Sequence, residues 1–209
     1  ALKMIRSVLA VDPELTPMAA VAGTIADGVA AFLFRRGMTR VIVNNGGDVA
    51  IRTGSDISVN VGIRPDLAHS VITDIMTLGD ERASWGVATS GLEGRSLTRG
   101  VASAATIIAG SASVADAAAT SIANASYVKD ETVIQKPAEK LDEQTDIPGV
   151  AVTLQAGPFT EEKKDLALSG AMTKAEKLLK KGLIFGAYIV VDGKVMMTDF
   201  VRHRLMKIS

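Results

Sequence analysis

An α+β fold is what this chain predicts, and three observations predict it. Short β-branched runs come in pairs joined by tight turns. Residues 40–43 and 49–52 flank Asn44-Asn45-Gly46-Gly47-Asp48, and residues 184–191 and 194–201 flank Asp192-Gly193. Short Gly-containing turns between apolar runs are strong hairpin signals. Long stretches of helical character, 19–36 and 160–181, separate the strand pairs. Strands in local pairs, with helices between the pairs, argue for α+β with mixed or antiparallel sheets packed against helices. No internal repeat and no sharp change of composition divides the chain, so one domain over 1–209 is expected.

Composition narrows the class. The 209 residues are 47% hydrophobic and 22% charged, as in an ordinary globular protein. Lys+Arg and Asp+Glu are 23 each, so zero net charge gives no case for nucleic acid or an anionic membrane surface. The absence of Cys excludes disulfides, thiolate metal sites and a Cys nucleophile. With only His69 and His203, a multi-His metal site is not expected, and both read as surface residues. No uncharged apolar run reaches the roughly 18 residues of a membrane span. Residues 17–34 come closest, interrupted by Asp27. The start at Ala1-Leu2-Lys3-Met4 does not look like a signal peptide. A cytoplasmic protein is the expectation.

In chain order, residues 2–10 are too short to assign, and 12–17 form a turn-rich lead-in. Residues 19–36 read as a helix closed by Gly37, with Arg35 and Arg36 in its last turn. Gly23 and Gly28 inside it cost about 1 kcal/mol each relative to Ala, which points to close packing or a ligand. The hairpin of 40–52 follows, and then a half-buried strand over 57–63, where Ile and Val alternate with Ser, Asn and Gly. Arg64-Pro65-Asp66 ends it, and 71–78 is a further strand. Residues 129–146 are charge-rich and read as a solvated connection with room for a short helix. A strand over 150–154, an amphipathic helix over 160–181 and the final hairpin, whose second strand runs 194–201, complete the series. The Lys-rich last turn of that helix suits its dipole.

The chain is organised around residues 85–124. Strand 86–89 breaks at Ser90-Gly91 into a Gly-rich loop, residues 104–108 form a short buried strand, and a helix begins near Val114. Trp85 reads as core. On the helix, Asp116 and Thr120 are one turn apart on one face. Both offer hard oxygens of the kind Mg²⁺ prefers. The plainer alternative is a capping box, Ser113-x-x-Asp116, with Asp in the place of Glu. Eleven of the residues from 101 to 125 are Ala, which lets a backbone or ligand come close. Asp48 likewise has two readings, a turn residue or a ligand contact, and Arg95 is a phosphate contact or a loop charge.

These motifs carry a resemblance. Gly23-Thr24-Ile25-Ala26-Asp27-Gly28 resembles the Gly-x-Ile-Ala-Lys-Gly helix start of the ApbE-like superfamily, whose best-known members are FAD:protein FMN transferases. Asn45-Gly46-Gly47-Asp48 resembles its Asn-x-Gly-Gly-Asp corner. Thr89-Ser90-Gly91 with Arg95 resembles its Ser-Gly-x-x-Arg segment. Asp116-Ala117-Ala118-Ala119-Thr120 resembles its Asp-Ala-x-Ala-Thr magnesium motif. The four lie in the family's order within 17–125, and the closer likeness is to an uncharacterised branch.

The resemblance implies an ApbE-like fold with FAD in a central cleft between two lobes. It implies cofactor contacts from Asn45, Gly46, Gly47, Asp48, Thr89, Ser90, Gly91 and Arg95. It also implies Mg²⁺ on Asp116, Thr120 and a backbone carbonyl near Ala26. A small-molecule nucleotide ligand, FMN transfer from FAD and a homo-oligomer are the corresponding expectations, with no nucleic acid or membrane partner. Backbone N–H groups at Gly46-Gly47 and Ser90-Gly91 would approach the ligand, since Gly has no side chain in the way. Catalytic residues are not assigned.

The pattern is incomplete. The family's His-x-x-Asp-Pro segment has no counterpart, because residues 96–113 contain no His, Asp or Pro, and the Lys of Ile-Ala-Lys-Gly is Asp27. A non-catalytic scaffold of the same fold, or a binder of a non-flavin anionic metabolite, are the alternatives.

Overall fold

The computed structural model describes residues 1–63, 72, 74–92, 94 and 96–207. Its centre is a six-stranded antiparallel sheet in the order β1 (Arg40–Asn45), β2 (Asp48–Thr53), β5 (Ser84–Ser90), β6 (Ala104–Ala109), β9 (Ile184–Val191) and β10 (Lys194–Met197). Three helices pack against this sheet, α2 (Val21–Arg35), α3 (Ala112–Asn124) and α4 (Glu161–Lys180), and α1 (Leu2–Val11) packs on α3. On the other face lies a three-stranded sheet of β11 (Leu205–Lys207), β4 (Asp74–Leu78) and β3 (Val59–Ile63). The short α5 (Asp199–Arg202) lies there too, and β7 (Ile134–Pro137) pairs with β8 (Ala151–Gln155) apart from both sheets. The expected α+β class with antiparallel sheets is what the chain adopts.

Period-two alternation in the central strands explains the layers. In β9, Ala187, Ile189 and Val191 face the helical core, while Tyr188 and Val190 join Trp85, Met76 and Leu78 on the other side. Both faces are covered, so β6 and β9 read as continuous apolar runs without a polar side. Trp85 is 1% exposed, donates from Nε1 to the Gly79 carbonyl at 3.1 Å and meets Phe185 edge-on at 5.4 Å. It is core, as expected.

The stretch 85–124 supplies β5, β6 and α3, and α3 touches α1, α2, α4, β2, β5, β6 and β9. Two glycines make that position possible. A Cβ on Gly23 would stand 2.2 Å from the Ala112 carbonyl oxygen, and one on Gly86 would stand 2.1 Å from the Ser111 carbonyl carbon. The start of α3 is therefore pressed backbone-first into α2 and β5.

Several local expectations are corrected. Residues 2–11 form a full helix, amphipathic through buried Ser7, Val8 and Val11. The second strand of the last hairpin stops at Met197, because Thr198 turns inward and its Oγ1 accepts from the Ala187 amide at 3.0 Å, starting α5. The charged connection contains strand β7, and β11 was not anticipated. The strand over 57–63 begins at Val59. Residues 64–71 and 73, with His69 and the start of the strand assigned to 71–78, lie outside the described residues. Pro17–Arg35 is the one described helical segment long and apolar enough to cross a membrane, with 28% of it buried in the fold.

Candidate functional site

The two helices that carry the motifs cap one another. Asp27 of α2 accepts from the Ala112 amide on Oδ1 and the Ser113 amide on Oδ2, both at 3.0 Å, and Lys3 of α1 sits 2.6 Å from Oδ2. Burial alone would raise the Asp27 pKa, but Lys3 and these two amides hold it below the ordinary carboxylate value. In return, Asp116 of α3 accepts from the Gly23 amide at 2.9 Å and from that of Ala22. Each carboxylate satisfies N–H groups that a helix start leaves without partners.

The capping-box reading of Ser113 and Asp116 therefore fails for α3. Its N-cap is Ser111, which makes no capping bond, and the capping anion comes from another helix. Asp116 caps α2. Asp27, where the resembled motif has Lys, has a structural role of its own.

Asp116 is nonetheless not a settled anion. Burial, and then the negative charge of Asp48, push its pKa up to about 7 despite the Gly23 and Ala22 amides. Burial pushes Asp48 up to about 6. Two carboxylates from β2 and α3, far apart in sequence, thus share one desolvated region. Among the described residues the Asp48 carboxylate has no hydrogen bond or ion pair. It does not stabilise the turn, since the Gly47 amide binds Asn44 Oδ1 at 2.9 Å. Gly46 and Gly47 take φ of 70° and 111° between paired Asn45 and Asp48, as a two-residue type I′ hairpin requires. Their glycine content is explained by that turn, and the Gly47 N–H is already engaged. Asn45 Nδ2 donates to the Ala22 carbonyl at 3.1 Å, tying the corner to the start of α2.

The other expected residues divide. Thr120 lines a cavity of ≈ 440 Å³ with Met18, Ser96, Arg99, Asn124 and Asp146. Ser96 Oγ lies 3.2 Å from Ser90 Oγ, so Ser90 reaches that cavity through one hydroxyl. Thr89 Oγ1 is 2.8 Å from Thr106 Oγ1 across the β5–β6 pair. Gly91 is buried, with φ 151°, where a Cβ would stand 2.4 Å from the Ser103 carbonyl oxygen; close packing explains it without a ligand. Ala26 is fully buried in the middle of α2, where carbonyls accept from the amide four residues on. The α2 residues on Asp116 are Ala22 and Gly23, one turn earlier. Arg95 lies outside the described residues.

No cavity among those described takes in Asp48, Ser90, Gly91, Asp116 and Thr120 together. They form a carboxylate pair and a hydroxyl-lined cavity, linked through successive turns of α3. Sequence reasoning missed Ser96, Arg99 and Asn124. Ser96 sits in the Gly-rich loop already singled out. Asn124 Oδ1 accepts from the Arg99 amide at 2.8 Å, a partnership over 25 residues with no local signature.

Oxygen is all that the region offers a metal. No group of three or more His, Cys, Asp or Glu side chains suited to a metal occurs among the described residues. The two carboxylates match the way Mg²⁺ is bound, through one or two carboxylates completed by phosphate and water.

The family model described as "AbpE bacteria" matches residues 1–197. The chain belongs to that family. A UPF0280 protein of Methanococcus vannielii is 38% identical over 150 residues, covering 69% of this chain and 59% of the relative. That of Methanocaldococcus jannaschii is 31% identical over 177 residues, covering 82% and 68%. That of Methanopyrus kandleri is 36% identical over 170 residues, covering 78% and 66%. The chain thus spans little over half the length of some curated relatives it matches, with 59% and 56% for the two Methanococcus proteins of M. vannielii and M. aeolicus. The family is an uncharacterised one by its relatives' names.

Proposed function

We propose that this AbpE-family chain binds a nucleotide carrying a pyrophosphate, FAD by its ApbE-like resemblance, together with Mg²⁺ at Asp48 and Asp116. Thr120 supplies a neutral oxygen one turn from Asp116. The observation that carries the reading is the Asp48–Asp116 pair. Two half-buried carboxylates that repel one another, one without a hydrogen-bond partner, are unfavourable unless protonated or joined by a cation. When bound, Mg²⁺ would offset negative charge on the pyrophosphate oxygens. The chain's own residues would hold it: Asp116 fixed by the Gly23 amide, and Asp48 held at the corner that Asn45 ties to Ala22.

Calorimetric titration with FAD and with ADP, with and without Mg²⁺, tests this. Affinity should require Mg²⁺, fall at least tenfold in Asp48→Asn and fall less in Thr120→Val. Equal binding with and without Mg²⁺, or an unchanged Asp48→Asn, would remove the metal from the reading.

A second reading is a non-catalytic scaffold of the same fold. It is favoured by the mutual capping of α2 and α3, which gives Asp116 a structural task, and by the missing His-x-x-Asp-Pro segment. Purified protein without bound flavin and without affinity for FAD or ADP would select it.

A further inference from the structure

The outward face of α2 is apolar to an extent that the fold itself does not use. Ile25, Val29 and Phe32 are 54%, 43% and 48% exposed, and Met18, in the 3-10 turn that leads into the helix, is 50% exposed. On α2, half-buried Ala22 with Ile25, Val29 and Phe32 falls at successive spacings of three, four and three residues, the seam pattern of helices that pack on helices. Between Pro17 and Phe34 the only charge is Asp27, which points inward to the start of α3. A large side chain carries roughly 150–250 Å² of surface, so Met18, Ile25, Val29 and Phe32 present on the order of 400 Å² of apolar area. That suits the apolar centre of an interface burying about 800 Å² per partner, whose rim is polar. Arg35 and Arg36 stand at one end of the stripe, and Leu2, beside the Lys3 that reaches Asp27, is 69% exposed.

Gly28 says what kind of surface covers this face. It lies inside the helix, where Gly costs about 1 kcal/mol relative to Ala. A Cβ built on it meets nothing within 4 Å. Gly23, on the inner side of the same helix, is needed by α3; among the described residues nothing approaches Gly28 closely enough to require a glycine there. A glycine between apolar side chains on an exposed helix allows close approach of another backbone. The stripe is also nearly symmetric about Gly28 and Val29, since Ile25 and Phe32 lie equally far on either side. A two-fold axis there sets Ile25 of one helix against Phe32 of an antiparallel copy, as an isologous interface demands. Beneath α2 lies β1, the edge strand of the six-stranded sheet, so the face sits at a side of the fold where another domain can be placed.

We infer that α2 is the interface of a symmetric homodimer, in which the helix packs antiparallel on its counterpart with Gly28 at the crossing point. The inference is independent of any ligand at the Asp48–Asp116 pair.

The cysteine-free chain makes a direct test available. Gly28→Cys introduces a single thiol at the axis, and mild oxidation should link it across the dimer within minutes. Glu176→Cys, on the exposed side of α4, should remain largely unlinked. Light scattering after size exclusion at tens of micromolar should give twice the chain mass for the wild type. Val29→Glu should give the chain mass, with an unchanged circular dichroism spectrum, since Val29 is outside the core. Sedimentation with phosphatidylcholine–phosphatidylglycerol vesicles serves as the competing assay. A monomeric wild type, a Val29→Glu variant that remains dimeric, equal linking of both thiols, or a monomer that Val29→Glu releases from vesicles would each overturn the dimer.

Discussion

Replacing Asp116 by Asn should make the protein more stable at pH 8 and leave it nearly unchanged at pH 4.5. Asp116 titrates near its ordinary value, 3.8, when unfolded, and at about 7 when folded. A raised pKa means that the folded state holds its proton more tightly. The resulting stability is complete below about pH 4 and is lost as pH rises through 7. Asp48, pushed up to about 6, acts in the same direction. At ~1.4 kcal/mol per pKa unit, the Asp116 shift corresponds to at most ~4 kcal/mol by pH 8, reduced by water reaching its partly exposed edge. Asp12 and Asp27, held below their ordinary values, contribute stability already complete near pH 4, so they are flat across this window. Asn keeps an oxygen for the Gly23 amide and cannot ionise, so capping of α2 survives while the repulsion with Asp48 disappears. The assay is a set of thermal melts from pH 4.5 to 8 for both proteins without metal. The wild type should lose roughly 5–15 °C relative to the variant across that range, at ~2–4 °C per kcal/mol for a chain of this size. Millimolar Mg²⁺ with ADP should restore the wild type alone. Parallel curves for the two proteins would refute the reasoning, because they would mean that Asp116 ionises without penalty.

Three further outcomes are expected. Incubation with FAD, Mg²⁺ and a Thr-containing acceptor peptide should leave the peptide without covalent flavin by in-gel fluorescence, given the missing His-x-x-Asp-Pro segment; a fluorescent peptide would restore the full transferase. Gly23→Ala should destabilise by about 1–3 kcal/mol in denaturant melts, because its Cβ would meet the Ala112 carbonyl and the helices would have to part; an unchanged midpoint would show that the helices are not held at that distance. Asp27→Ala should cost about 2–4 kcal/mol at pH 7 by removing two caps of α3 and leaving Lys3 without its partner, and the cost should shrink as pH falls through the lowered Asp27 pKa, so a pH-independent loss would argue against the ion pair.

How legible this was in the sequence depends on the range of the signal. The Gly46-Gly47 and Asp192-Gly193 hairpins were readable because positive φ at two adjacent residues demands particular residue types. Most helices and central strands followed from periodicity, and Trp85 from its size. The α5 helix was not readable, because Val195 to Val201 alternates well enough for a strand and only the Thr198–Ala187 contact ends it. The glycines of α2 were seen as a cost, but sequence could not tell Gly23, pressed on α3, from Gly28, pressed on nothing. Asp27 looked like a departure from a motif, when it is the cap of a helix beginning 85 residues later. Helical spacing puts Asp116 and Thr120 one turn apart on α3, but the proximity of Asp48 to Asp116 depends on how β2 and β5 place their ends beside α3.

The cap that Asp116 forms on α2 also bears on the proposed binding of a pyrophosphate. A helix start normally attracts phosphate through its free N–H groups and dipole. At α2 the Ala22 and Gly23 amides are already taken by Asp116, and Asp48 adds a second negative charge nearby. A bare pyrophosphate would meet repulsion there instead of donors. With a divalent cation between the carboxylates, the same position becomes attractive, and the α2 dipole, already balanced by Asp116, neither helps nor opposes. The proposed nucleotide binding is therefore conditional on metal by construction of the site. The proposal consequently loses its basis if FAD or ADP binds at this position equally well in the presence of a chelator.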